Sequence, residues 1–131
     1  MQLAQAYISK LMSIPPGMEQ AVWSNKAVAQ WEAVLKTDPE HWDARFSLAF
    51  NWSMWPDFLN KTPDAIREFE KVREVQERST PDEKHAQTYF QLSRLYQKQG
   101  KSDKAKEALR AGLTRFPQDA ELKKALESLE N

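Results

Sequence analysis

Residues 86–119 read AQTYFQLSRLYQKQGKSDKAKEALRAGLTRFPQD, and this stretch decides the fold. Within it, Tyr89, Leu92, Ser93 and Tyr96 share one helical face, Gly100 interrupts, and Ala105, Leu109 and Gly112 share a second face before Pro117. A helix with a large–small–aromatic face, a glycine turn and a helix with Ala-x3-large spacing form an interlocking pair. Working outward, Leu48, Ala49 and Trp52 followed by Ala65, Phe69 and Val72 repeat the pattern, and so do Leu3, Ala4 and Tyr7 followed by Ala27, Trp31 and Val34. Ala27-x3-Trp31 and Ala105-x3-Leu109 each lead to a proline, Pro39 and Pro117, at the same interval.

The breakers divide the chain into seven predicted helices. The first spans about 2–13 and ends at Ile14-Pro15-Pro16-Gly17, and the second spans about 18–36. Asp38 is the expected cap of a third helix over about 40–55, and Thr62 of a fourth that starts with Pro63 and runs to about residue 78. Thr80-Pro81-Asp82-Glu83 reads as a capping box opening a fifth helix, which Gly100 closes. Ser102 is the expected cap of the sixth, which ends near Arg115, and a last helix covers about 118–128.

These residues resemble the tetratricopeptide repeat family, whose unit of about 34 residues follows W-x2-L-G-x2-Y…A-x3-F…P. Residues 86–119 fit that pattern without gaps, with Tyr89 for Trp, Ser93 for Gly and Leu109 for Phe. The resemblance implies an all-α fold, a right-handed α-solenoid of helix–turn–helix pairs in one domain over 1–131. Repeat 1 covers about 1–39, repeat 2 about 40–79 and repeat 3 about 80–117, with a capping helix at about 118–130. The first two repeats carry extra residues between their helices, in the Ile8–Lys26 and Ser53–Lys61 regions, and the second lacks its closing proline. The first repeat starts close to residue 1 with no cap of its own, which reads as a segment of a longer, bacterial-type protein, or as an end covered by a partner or a second copy.

Composition narrows the function. With 19 basic and 19 acidic residues the net charge is zero, against the cationic excess of a general nucleic-acid binder. Residues 1–60 are mildly acidic and 61–131 mildly basic, with no block of like charge. The absence of cysteine excludes disulfides, thiolate metal sites and a cysteine nucleophile, and three glycines are too few for a glycine-rich phosphate loop. No stretch approaches the roughly 20 apolar residues of a membrane helix. The N-terminus lacks the basic flank and apolar run of a signal peptide, which leaves cytosol and periplasm both open. His41 and His85 sit at predicted helix starts beside acidic residues and read as solvated, with no local set of metal ligands or nucleophile. Asn51-Trp52-Ser53 fits a glycosylation sequon but falls in a helix. No cofactor, no metal and no catalysis are expected.

The aromatics outside the repeat positions point to binding. In this family the first helix of each repeat lines a concave surface, which places Asp43, Phe46, Phe50 and Met54 on one inner wall. Gln87, Phe90, Arg94, Gln97 and Lys98 fall on the next. Such a groove suits an extended peptide or partner helix with apolar anchors and an acidic group, unless the extra residues of the first repeat cover Phe46 and Phe50. The apolar connector with Trp55, Phe58 and Leu59 reads either as a recognition loop or as a cover for its own repeat. The carboxylate clamp of one subgroup is not carried over, because Met1, Gln5, Ser47, Gln87 and Gln91 stand at its places. The expected function is a non-catalytic protein–protein interaction module with a protein or peptide partner; the alternative is self-assembly, as a homo-oligomer, through the first repeat.

Overall fold

The computed structural model describes residues 18–130. Among them are six α-helices: α1 (Met18–Thr37), α2 (Trp42–Ser53), α3 (Thr62–Glu77), α4 (Ala86–Lys98), α5 (Ser102–Arg115) and α6 (Ala120–Glu130). The expected helix over 2–13, with Leu3, Ala4 and Tyr7, lies outside the described residues. Each helix packs on its neighbours in the chain, and α6 rests on both α5 and α4. The extra residues of the first repeat are partly absorbed by α1, whose 20 residues exceed the 16 of α3 and the 14 of α5.

The repeat positions form the core. Ala27, Trp31, Ala49, Ala65, Phe69, Val72, Tyr89, Leu92, Ala105 and Leu109 are all fully buried. They fall into a chain of three clusters. One joins α1 to α2 through Trp31, Ala44 and Leu48. The middle one spans α2 to α5 around Phe69, Leu92 and Leu95. The last joins α4, α5 and α6 around Tyr89, Leu109 and Leu122. Half-buried Trp52 packs against the first and the second cluster, and Leu129 against the second and the third. A helix pair in this arrangement completes its apolar burial only against the next pair.

Small residues set the separation of the helices. Gly112 on α5 faces Tyr89 on α4 so closely that a Cβ there would lie 2.8 Å from the tyrosine Cβ and Cγ and 3.0 Å from Leu122 Cδ1. Gly100 has a φ of +71°, the left-handed turn expected at the end of α4. The second repeat also departs from the pattern at a core position: Arg45 stands three residues before Leu48, as Tyr89 stands before Leu92. There an ion pair between Arg45 and the buried Glu68, at 2.8 Å, ties α2 to α3. Tyr89 and Tyr96 turn their hydroxyls to Glu77 and Glu70 on α3, at 2.8 and 2.7 Å. Burial, aided by the bond to Glu77, pushes the Tyr89 pKa up to about 12. Arg73 on α3 forms a two-pronged pair with Glu107 on α5, at 2.7 and 3.0 Å. That bond holds the Glu107 carboxyl below its usual range.

The helix starts differ from the sequence expectations. His41, not Asp38, caps α2, its Nδ1 accepting from the Ala44 N–H at 3.1 Å. Thr62 and Ser102 are first residues of their helices, and the N-caps Lys61 and Lys101 make no side-chain cap bond. The capping box before α4 lies two residues later than expected: Asp82 caps a 3-10 turn at Glu83–His85, and His85 takes the reciprocal role. Before α6, Asp119 accepts from the Leu122 N–H at 2.9 Å. In each case the loop geometry fixes which side chain reaches the free N–H groups, and the nearest hydroxyl in sequence is not always that one.

A buried glutamine joins the second repeat to the third. Gln76, at the end of α3, accepts from Trp42 Nε1 at 2.9 Å and from the Thr88 hydroxyl at 2.8 Å, and donates to the His85 carbonyl at 2.9 Å. This one side chain fixes the start of α2 against the start of α4. His85 is therefore buried rather than solvated, with its ring centroid 5.5 Å from that of Trp42. Its pKa is lowered by burial above all, with Asp82 opposing and Lys84 and Arg115 reinforcing the shift.

Three outcomes follow from these contacts. Gly112→Ala gains helix propensity but overpacks against Tyr89, and chemical denaturation should show a net loss of about 1–3 kcal/mol. Gln76→Leu leaves the Thr88 hydroxyl and the His85 carbonyl without their buried partner, and should cost on the order of 2 kcal/mol in the same assay. Because the His85 pKa is lower in the folded chain, the unfolded chain takes up the proton first. The stability held above the ordinary histidine range of about 6.5 is then lost as the pH falls towards the folded value. Melting curves between neutral and mildly acidic pH should show that loss in the wild type and a smaller one in His85→Gln.

Candidate functional site

Packing consumes one side of α2, where Ala44, Ser47, Leu48 and Asn51 are buried. Trp42, Phe46, Phe50 and Met54 follow one another at a spacing of four, and Phe46 and Phe50 pack on the edge of the middle core. Trp42 and Phe46 stack with centroids 4.7 Å apart and planes at 14°, and Phe46 and Phe50 lie parallel at 6.4 Å. The edge of Phe69 meets Phe46 at 5.3 Å and anchors the stack to the middle core. Phe46 and Phe50 are thus half-buried, each offering part of a ring, and Met54 is 46% exposed at the end of the helix. Trp42 is the member that the sequence reading missed. Its four-residue spacing to Phe46 was the available signal, but its bond to Gln76 joins residues far apart in the chain.

The next wall belongs to α4. Phe90 is half-buried against the last cluster, while Gln87, Arg94, Gln97 and Lys98 are exposed. The Arg94 guanidinium donates to Gln91 Oε1 at 2.8 Å. Gln87 donates to Glu121 of α6 at 3.4 Å, which sets α6 alongside α4 as a further inner helix. Several of the nine expected residues are engaged in other ways: Asp43 pairs with Lys84 at 3.7 Å, Phe90 packs on the last cluster, and Phe46 and Phe50 pack on the middle one. Lys84 also lies 4.7 Å above the Trp42 ring. The start of α2 and the start of α4 therefore meet, and from there Phe50 and Arg94 occupy equivalent places, two residues after Leu48 and Leu92 respectively.

The connector between α2 and α3 divides its apolar residues. Trp55 turns inward, donating to the Ser24 hydroxyl at 3.0 Å, and Ser24 donates to Asn51 Oδ1 at 3.0 Å. The Lys61 ammonium lies 4.6 Å from the Trp52 ring and 5.6 Å from the Trp55 ring. Phe58 stays 85% exposed and Leu59 43%. Together with Met54 they are the exposed large apolar residues among those described. Trp55 thus covers its own repeat while Phe58 and Leu59 do not. Asn51 is buried, with its Oδ1 accepting from Ser24 and its Nδ2 enclosed without a partner, so the sequon at 51–53 offers no accessible amide. Among the described residues no helix is long and apolar enough to cross a membrane.

The comparisons with known proteins agree with this architecture. A family model described as a tetratricopeptide repeat matches residues 86–119. No curated protein matches the sequence. Among solved structures, a thermophilic TPR protein from Thermus thermophilus superposes with a TM-score of 0.77 at 15% identity, covering 97% of this chain and 60% of that one. The TPR domain of Arabidopsis OM64 superposes with a TM-score of 0.65 at 16% identity, covering 98% of this chain and 95% of that domain. At such identities the likeness is one of fold. The chain carries a tetratricopeptide repeat at residues 86–119 and has the helical-solenoid fold of the tetratricopeptide-repeat family, with α6 as its C-terminal cap.

Proposed function

We propose that this chain is a non-catalytic interaction module that takes a peptide or partner helix in the groove lined by α2, α4 and α6. The tetratricopeptide-repeat fold serves as a protein-interaction scaffold, and the coarse assignment follows from it. The placement in the groove rests on one observation: Phe46 and Phe50 lie parallel on α2, seated on the edge of the middle core and only half-buried there. Aromatics held in this way present apolar area at little entropic cost on binding. Met54 extends the apolar wall. Arg94, Gln97 and Lys98 supply the polar one, with Gln87 at its start. Asp43 and Phe90 act indirectly, by fixing Lys84 and by seating α4.

A second reading comes from Phe58 and Leu59. A phenylalanine 85% exposed on a connector braced by Trp55 is a candidate contact in its own right, for another protein or for a second copy. Self-assembly through the open end of the first repeat would use its expected helix over 2–13, which lies outside the described residues.

A pull-down from the source lysate with the wild type, Phe50→Ala/Arg94→Ala and Phe58→Ala/Leu59→Ala separates these readings, once equal helicity and melting are confirmed. The groove reading expects a specific partner that the first variant loses by about tenfold or more and the second keeps. Loss only with the second variant transfers the function to the connector. Recovery of the chain alone, with a mass that rises with concentration, favours self-assembly.

A further inference from the structure

We infer that His41 and His85 form an acid-sensitive clasp: on protonation they release the start of α2 and the turn before α4, and Trp42 beside them loosens from the third repeat. The clasp needs no ligand in the groove and stands apart from the groove reading.

These are the two histidines of the chain, and each uses Nδ1 as an acceptor where a helix begins. His41 takes the Ala44 N–H at 3.1 Å at the start of α2, and His85 takes the Asp82 N–H at 3.4 Å in the turn before α4. A protonated imidazole carries a hydrogen on both ring nitrogens and has no acceptor left. Both caps are then lost, and a cation stands at a helix N-terminus, where the helix dipole disfavours it. Before α6 the same task falls to the Asp119 carboxyl group, whose oxygens can accept in either protonation state. The response is therefore confined to the edge where α2 meets α4.

Trp42 links the two caps. It follows His41 in the chain, and its ring centroid is 5.5 Å from that of His85. Its Nε1 donates to Gln76, which in turn donates to the His85 carbonyl. Lys84, next to His85, lies 4.7 Å from the Trp42 ring and 3.7 Å from Asp43. A charge on His85 repels Lys84 and loosens the turn that carries these contacts. Because Trp42 stacks on Phe46, the movement reaches the aromatic row of α2.

The surrounding charges do not cancel the effect. Asp82 favours a charged His85, while Lys84 and Arg115 oppose it. Arg115 is held at this edge by its bond to the Glu77 carbonyl at 2.6 Å. On α3 the Glu77 carboxylate is bonded to Tyr89 and Arg73. Around His41, Glu40 is paired with Arg78, Asp43 with Lys84, and Arg45 with Glu68. Carboxylates that already hold a partner offset the new charges only in part.

The test is a pH titration by two-dimensional NMR of the wild type, His41→Asn, His85→Gln and the double variant, matched for melting at neutral pH. Asparagine at the N-cap of α2 and glutamine at the third position of the capping box keep the acceptors without titrating. In the wild type we expect the Trp42 indole N–H and the Asp82 amide to shift together, with a midpoint below about 6.5. The Trp31 indole, in the first cluster, should stay still, and helicity should not change. His85→Gln should abolish the shift at Trp42 and Asp82, and His41→Asn the shift at the Ala44 amide. Shifts of Trp42 and Asp82 that persist in the double variant would overturn the inference. So would a His85 ring that titrates while the Trp42 indole stays unmoved. Shifts that come only as helicity collapses would also overturn it, since the chain then unfolds as a whole. None of these results bears on the groove reading, which the pull-down decides.

Discussion

Close approach between neighbouring helices at small residues is the constraint on which this architecture depends. Where Gly112 meets Tyr89 there is no room for a methyl group. Ala49, Ala65 and Ala105 are as fully enclosed in the middle core. At these points the backbones come near enough for the large neighbours, Phe69, Leu92 and Leu109, to fill what remains. Dispersion and apolar burial then act over the whole length of each helix, and both fall steeply if the helices stand apart. A larger residue at such a crossing changes the angle between successive pairs as well as local packing, because each pair is oriented only by the next.

The groove is a consequence of that packing. On α2 the crossings leave Met54 exposed and Phe46 and Phe50 half-buried at the edge of the middle core, and on α4 they leave Arg94 exposed. Their register depends on how the start of α2 meets the start of α4, which is the task of Gln76. Its three bonds are buried, directional and made to two helices and the turn before α4. An apolar residue could fill the space but could not specify the register. The ion pairs from Arg73 to Glu107 and from Arg45 to Glu68 add fixed points between helices. The proposed binding surface and the structural join therefore share a residue, Trp42, which bonds to Gln76 on one edge and stacks on Phe46 with its face.

The repeat positions were legible in the sequence because they obey a period. Leu48, Ala49, Ala65, Phe69 and the whole of 86–119 stand where their spacing puts them, and the helix ends near Arg115 and Gly100 follow from local chemistry. What escaped was set by contacts distant in sequence. His85 reads as a solvated helix-start residue, and only the approach of Trp42 and Gln76 buries it. Arg45 occupies a repeat position as a charged residue, which apolar pattern reading passes over, and its partner Glu68 lies on another helix. The helix caps were misplaced by one to three residues because a cap depends on loop geometry more than on composition. In the connector, Trp55 and Phe58 look alike in sequence. Only the reach of Ser24 draws one inward and leaves the other exposed.

The central claim is that binding energy is collected on the inner faces of α2 and α4. Amide hydrogen exchange, measured on the chain with and without a saturating amount of the partner that the pull-down recovers, tests it most directly. The account predicts added protection concentrated in residues 42–53 and 86–98, with α3 and the outward side of α5 unchanged. Protection confined to residues 54–61, or found only on α3 and α5, would contradict it.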